Sequence, residues 1–233
     1  MARPSPKFAD AAAYPAVYRD GRGQVAATIT NDGETLRVVL RGVAFEGHDF
    51  DCLEPAGGPD AAPEAALSNA GFRLHHGCLC NCVLAWTMPL RVGGPGGHAE
   101  EGALACSLTL GLPAPNQGLD REDLQLTLRC SVGRFAGSGR GGMFEDELGE
   151  ITAQLPEGFF LHACIGCAWG DYSPLGNGSF GGMFCFRDQR AAYAAAETKD
   201  AYLPLVEACD RVVQETYVCG RFQRRTPGTG YRG

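Results

Sequence analysis

Residues 17–43 read VYRDGRGQVAATITNDGETLRVVLRGV, and this stretch decides the fold. Val17-Tyr18 and the run Gln24 to Thr30 flank the turn residues Asp20-Gly21-Arg22-Gly23. Leu36 to Val43 follows Asn31-Asp32-Gly33. Asn-Asp-Gly between two β-rich runs is a strong hairpin signal, because Asn, Asp and Gly tolerate the left-handed backbone a tight turn requires. Working outward, further alternating runs span Cys78 to Met88, Ala103 to Leu110 and Leu124 to Cys130. Connectors rich in Gly, Pro and Ala separate them at Pro55 to Pro63 and Gly93 to Gly97, and loops are expected at Asp49 to Glu54 and Pro115 to Asp123. Short strands with no helical period between them predict an antiparallel, β-sandwich-like half over residues 15–136.

The pattern then changes. Gly137-Ser138-Gly139-Arg140-Gly141-Gly142 reads as a flexible connector. After it Phe144, Leu148, Ile151 and Leu155 recur at helical spacing, and Pro156 closes that helix. Phe159 to Trp169 reads as a strand, a long loop follows, and Met183 to Arg187 returns to complete a hairpin. Asp200 fits an N-cap, with Pro204 in the first turn of a second helix that buries Tyr202, Leu205, Cys209, Val212 and Thr216. The expected class is α+β: a flexible arm (1–14), the antiparallel half, the connector (137–142), and a Cys-rich half (143–233) of one hairpin and two helices. The two halves can also form one continuous domain.

A net charge of −7 and a pI near 5.2 leave no electrostatic footprint for nucleic acid or an anionic membrane. No apolar run approaches the roughly 20 residues needed to span a bilayer, and the N-terminal residues lack the apolar core of a signal peptide. A cytoplasmic location is therefore expected. There the eleven cysteines serve as metal ligands, small core residues or reactive thiols, and not as disulfides.

Cys164, Cys167, Cys185 and Cys219 follow the pattern C-x2-C-x17-C-x33-C. Tetrahedral zinc takes four thiolates at about 2.3 Å, and a C-x-x-C turn eased by Gly166 supplies two of them. The hairpin offers the third ligand, and the end of the last helix brings the fourth. The alternative is four buried free thiols. Cys78, Cys80 and Cys82 alternate with Leu84, Trp86 and Met88 along one strand face, which suits core packing. Cys80 and Cys82 are reserve ligands. The spacing matches neither common ferredoxin pattern, which disfavours an iron–sulfur cluster. A thioredoxin-type redox pair is disfavoured too, since no helix follows Cys167. The Gly137–Gly142 run matches G-x-G-x-x-G, but the helix behind it opens with Glu145, Asp146 and Glu147, which repel a phosphate.

For covalent or proton-transfer chemistry the candidates are His162 and Asp171, beside Cys167 and Tyr172. Trp169, Asp171, Tyr172, Asn177 and Phe180 stand in one loop. If exposed, they form a binding surface; if buried, they cap the hairpin. The blocks DYSPLGNGSFGGMFCFR and QETYVCGRFQRRTPGTGYRG, with the earlier LDREDLQLTL, resemble a family of bacterial proteins known as domain of unknown function 6304. The resemblance covers nearly the whole chain and implies a stand-alone protein of this length, with no activity, cofactor or catalytic residue attached. The reading is a zinc-stabilised binding or accessory protein whose loop at residues 169–182 meets a protein or small-molecule partner. The alternatives are a metal- or thiol-dependent enzyme using the same cysteines, and a metal-free structural or interaction protein.

Overall fold

Two tight hairpins start the sheet. In the computed structural model, which describes residues 11–58 and 63–231, β1 (Ala12–Asp20) turns through Gly21-Arg22 into β2 (Gly23–Asn31). β3 (Leu36–Leu40) turns through Arg41-Gly42 into β4 (Val43–Gly47). Arg41 and Gly42 both have positive φ, 47° and 82°, the conformation that matches a two-residue turn to the right-handed twist of its strands. Arg41 also donates two hydrogen bonds, of 2.6 and 2.7 Å, to the Asp20 carboxylate, tying the two turns together. Between β2 and β3, Asn31 accepts from the Gly33 amide, and Asp32 accepts from those of Glu34 and Thr35. The hairpin expected from Asn-Asp-Gly is present.

The remaining strands of the large sheet are β5 (Glu54–Pro55), β8 (Cys82–Gly93), β9 (Ala99–Leu110), β10 (Glu122–Cys130), β11 (Gly133–Ala136) and β12 (Phe160–Leu161). They join the first four in a ten-stranded antiparallel sheet ordered β11-β10-β9-β8-β1-β2-β3-β4-β5, with β12 pairing β8. Alternate residues of β8 (Cys82, Leu84, Trp86, Met88, Leu90 and Val92) are buried, as the period of two requires. They share one hydrophobic core with the inner faces of β1, β3, β9 and β10. Phe50 stacks on Trp86 at 4.0 Å, and α2 (Phe144–Gln154) buries Phe144, Leu148 and Ile151 in the same core. The fold is α+β and dominated by this sheet. Two short elements, β6 (Arg73–His75) and β7 (Cys78–Cys80), form a separate pair behind α1 (Glu64–Asn69).

Several expectations need correction. β1 begins at Ala12, so the last residues of the proposed arm belong to the sheet; residues 1–10 lie outside the described residues, as do 59–62 of the Pro55 to Pro63 connector. Cys78 and Cys80 lie two apart in β7, but Cys82 opens β8, so the three do not form one strand face. Asn81, at φ 53°, breaks the chain between β7 and β8, and Cys78 is disulfide-bonded to Cys52, so the expectation of no disulfide fails.

The Gly137–Gly142 segment is held in place. The Gly139 and Gly141 amides donate to the buried Glu147 carboxylate, so the glycine-rich turn does receive an anion, one carried by its own helix. Of the strand expected over Phe159 to Trp169, only β12 forms; a short 3₁₀ turn occupies Cys164–Gly166. β13 (Gly170–Asp171) pairs instead with β14 (Met183–Cys185), and β15 (Val212–Val213) completes a small sheet. An unforeseen α3 (Arg190–Ala194) precedes α4 (Lys199–Ala208). The cap of α4 is Thr198 and not Asp200, which places Pro204 inside the helix. The helix ends before Val212 and Thr216.

The C-terminal segments are bonded to the sheet at several points. Asn31 and Gln214 exchange side-chain hydrogen bonds of 2.8 and 3.2 Å. Asp49 accepts from the Ser179 hydroxyl and the Phe180 amide. A second, smaller core gathers Cys167, Trp169, Phe186, Tyr193, Tyr202 and Val206.

Candidate metal centre

The C-x-x-C pair sits on a turn that its sequence dictates. Ala163 is extended, the Gly166 amide donates to the Ala163 carbonyl at 2.9 Å, and the Cys167 amide donates to the Cys164 carbonyl at 3.0 Å. Position 166 must be glycine here, because a Cβ would run into the Leu161 carbonyl. The turn is docked on two neighbouring segments. Cys164 and Ile165 donate to the carbonyls of Tyr217 and Glu215, at 2.8 and 3.0 Å, two and four residues before Cys219. Ala168 donates to the Gln223 carbonyl, and Arg225 donates to that of Gly166. Cys185, opposite Gly170 in the small sheet, donates its amide to Arg211.

The fold therefore brings Cys164, Cys167, Cys185 and Cys219 into one neighbourhood. Cys164 lies in the field of the other three thiols, and Cys185 in that of Cys167 and Cys219. Burial pushes the Cys164 thiol well above its ordinary pKa, and ionisation of its three neighbours and Glu215 adds to the rise. Burial likewise raises Cys185, opposed by the Arg187 amide and guanidinium. That guanidinium also lies beside the Cys219 thiol, so a cation flanks the cluster. Among the described residues, these four thiols are not already gathered as tightly as a metal-ready group.

The reserve ligands are elsewhere. Cys80 lies near Arg73, and Cys82 lies near Tyr18 and Asp20 in the sheet core. His162 and Asp171 are not brought together. His162 packs at 4.2 Å on the Phe222 ring, and burial and Arg91 lower its pKa. Asp171 is buried and accepts from the Tyr193 hydroxyl at 2.7 Å, while Arg225 donates to that same hydroxyl. Trp169, Tyr172 and Phe180 are buried as well, so these loop aromatics cap the hairpin; Asn177 is half-buried, and Leu175 at the loop tip is 74% exposed.

Two features escaped the sequence. One is a cleft of about 560 Å³ against the C-x-x-C turn, lined by Phe159, Phe160, Ile165, Gly166, Arg224 and Arg225 among others. Arg224 is exposed, with its guanidinium 4.6 Å from the Phe160 ring centre and donating to the Gly158 carbonyl at 3.4 Å; Arg225 is engaged more fully, by Gly170, Thr229 and Tyr193. The other is the group Cys52, Glu54 and Cys78, whose ligand atoms all lie within 4.8 Å of one another. Cys78 is 26 residues from Cys52 in the chain, and only the C-x-E alternation gave any signal.

An antiparallel α+β protein with a cysteine cluster beside a cleft is the class these features define. The chain belongs to the family of unknown function DUF6304, whose family model matches residues 12–170. The match takes in the sheet and the C-x-x-C turn and ends before Cys185, so the two C-terminal blocks that carried the resemblance lie outside it. Neither curated proteins nor solved structures gave a match.

Proposed function

We propose that this is a zinc-stabilised binding or accessory protein. Cys164, Cys167, Cys185 and Cys219 hold one Zn²⁺ as thiolates, and the cleft beside them takes a small ligand with an apolar body and an acidic group. The observation that carries the reading is the convergence of four thiols from four separate segments beside the Arg187 guanidinium. Neutral thiols gain little from a neighbouring cation. Four thiolates around Zn²⁺ carry a net charge of −2, which Arg187 offsets. The surrounding elements are short, such as β13, β14 and β15 at two or three residues each, and a bound ion supplies stability that so little regular structure does not. To close around zinc the sulfurs rotate inward, to an S···S separation of roughly 3.8 Å set by the tetrahedron.

Ile165 and Gly166 lie between the first two ligands and also line the cleft, so metal binding shapes the ligand site. Arg224 faces the acidic group there, and Phe159 and Phe160 face the apolar body. Separation of His162 from Asp171 favours binding over proton transfer. The test is elemental analysis of protein purified without added metal and with the Cys52–Cys78 bridge intact. One zinc per chain is expected, falling to none in Cys164→Ser or Cys167→Ser with weakened folding. Zinc near zero in the parent protein rejects the reading.

A further inference from the structure

Cys52 and Glu54 flank Leu53, which is buried in the core, and both line the same open cleft. Across from them Cys78 opens β7, and its sulfur lies 3.9 Å from Glu54 Oε1. The two cysteine Cα atoms are 4.8 Å apart and linked by the disulfide. That bond is not what positions them. Buried Leu53 and Leu79 anchor the two segments, joined by a backbone hydrogen bond of 3.0 Å from Leu79 to Leu53, and β5 is paired to β4. When the bridge is reduced, two sulfurs and a carboxylate remain side by side. Among the described residues the nine other cysteines are free, so this is the pair that the structure shows as a disulfide.

From this geometry we infer that reduced Cys52 and Cys78, together with Glu54, form a second zinc site, and that the disulfide is its metal-free state. Two sulfurs and one carboxylate oxygen are three ligands of the kind zinc selects. The fourth position faces an open cleft of about 400 Å³ lined by Cys52, Glu54, His48, Asp49 and Arg37 among others. Three protein ligands and one open position are the arrangement of a zinc that binds water or an exogenous ligand. The electron balance needs a reductant, and a dithiol serves. Two electrons break the S–S bond, the dithiol becomes a disulfide, and its two protons pass to Cys52 and Cys78. Zinc then displaces both protons as the sulfurs bind as thiolates.

The site is independent of the four-cysteine centre, and the experiment keeps them apart. Full-length protein is dialysed against zinc with the bridge intact, or after reduction by a trialkylphosphine, which takes oxygen from water to become the phosphine oxide; bound zinc is then counted. The reduced protein is expected to bind one zinc more than the oxidised protein, whatever the oxidised count is. Cys52→Ser/Cys78→Ser abolishes the difference, whereas Cys164→Ser leaves it intact. Glu54→Gln retains both cysteines at an exposed position and is expected to weaken the extra zinc by about tenfold or more. Equal counts in the two redox states overturn the inference. So does an extra zinc that survives in the double variant, or one bound by Glu54→Gln with unchanged affinity.

Discussion

Glu215 shows what a single residue contributes here. It is 1% exposed, and burial raises its carboxyl pKa to about 7, although the Gly181 amide and the Tyr172 hydroxyl hydrogen-bond it and pull the other way; Asp49 adds repulsion. The native state holds this proton between about pH 4.5 and 7, whereas the unfolded chain has released it. Its stabilisation is therefore complete below the unfolded pKa and is lost as pH rises through 7, about 3 kcal/mol in all. Asp51, raised to about 7 by burial and by Asp49 and Glu122, acts in the same sense. Urea unfolding of wild type and Glu215→Gln from pH 5 to 8 checks this. The difference between the two proteins is expected to favour wild type most at low pH and to shrink as pH rises. A difference that does not vary with pH contradicts the assignment. Nothing in the run Val213-Gln214-Glu215 announced a buried acid, because burial at this position is created by the loop of Gly181 and by Tyr172, far away in sequence.

At the scale of elements, α2 and the glycine-rich turn before it act as one unit. Glu147 is fully buried, and its carboxylate receives the Gly139 and Gly141 amides within 3.0–3.4 Å. Glu147→Ala is expected to destabilise the protein by about 3 kcal/mol in urea unfolding, since it leaves two amides without their charged acceptor. A loss under about 0.5 kcal/mol, the range of ordinary surface substitutions, shows instead that the turn is held by other contacts. The helix itself was legible from Phe144, Leu148 and Ile151; the role of Glu147 was not, because the same acidic first turn that stabilises a helix dipole also reads as solvated surface. The β elements were legible wherever alternation ran for five or more residues, as in β3, β8 and β10. Two-residue strands such as β12 and β13 lack the length to show a period. The cap of α4 was misplaced for a related reason: Thr198 and Asp200 are both good caps, and only the Ala201 amide donating to Thr198 selects between them.

For the whole molecule, the four-cysteine pattern pointed to residues that the fold does bring into one neighbourhood. The disulfide and the Cys52-Glu54-Cys78 group were invisible, because their proximity comes from packing β5 against β7 and not from spacing in the chain. The sequence left the loop aromatics open between a binding surface and a hairpin cap, since Trp169, Tyr172 and Phe180 look the same whether they meet a partner or a core. The account rests on one cation joining segments that the chain keeps apart, so the whole protein's unfolding reports on it. A ligand present at about a thousand times its dissociation constant stabilises by about 4 kcal/mol, which for a chain of this size corresponds to roughly 10 °C in melting temperature. The direct measurement is thermal unfolding of the full-length protein, with the Cys52–Cys78 bridge intact, before and after zinc chelation. The account predicts a fall of about that size, reversed by restoring zinc and absent in Cys164→Ser. Coincident melting curves with and without the chelator contradict it.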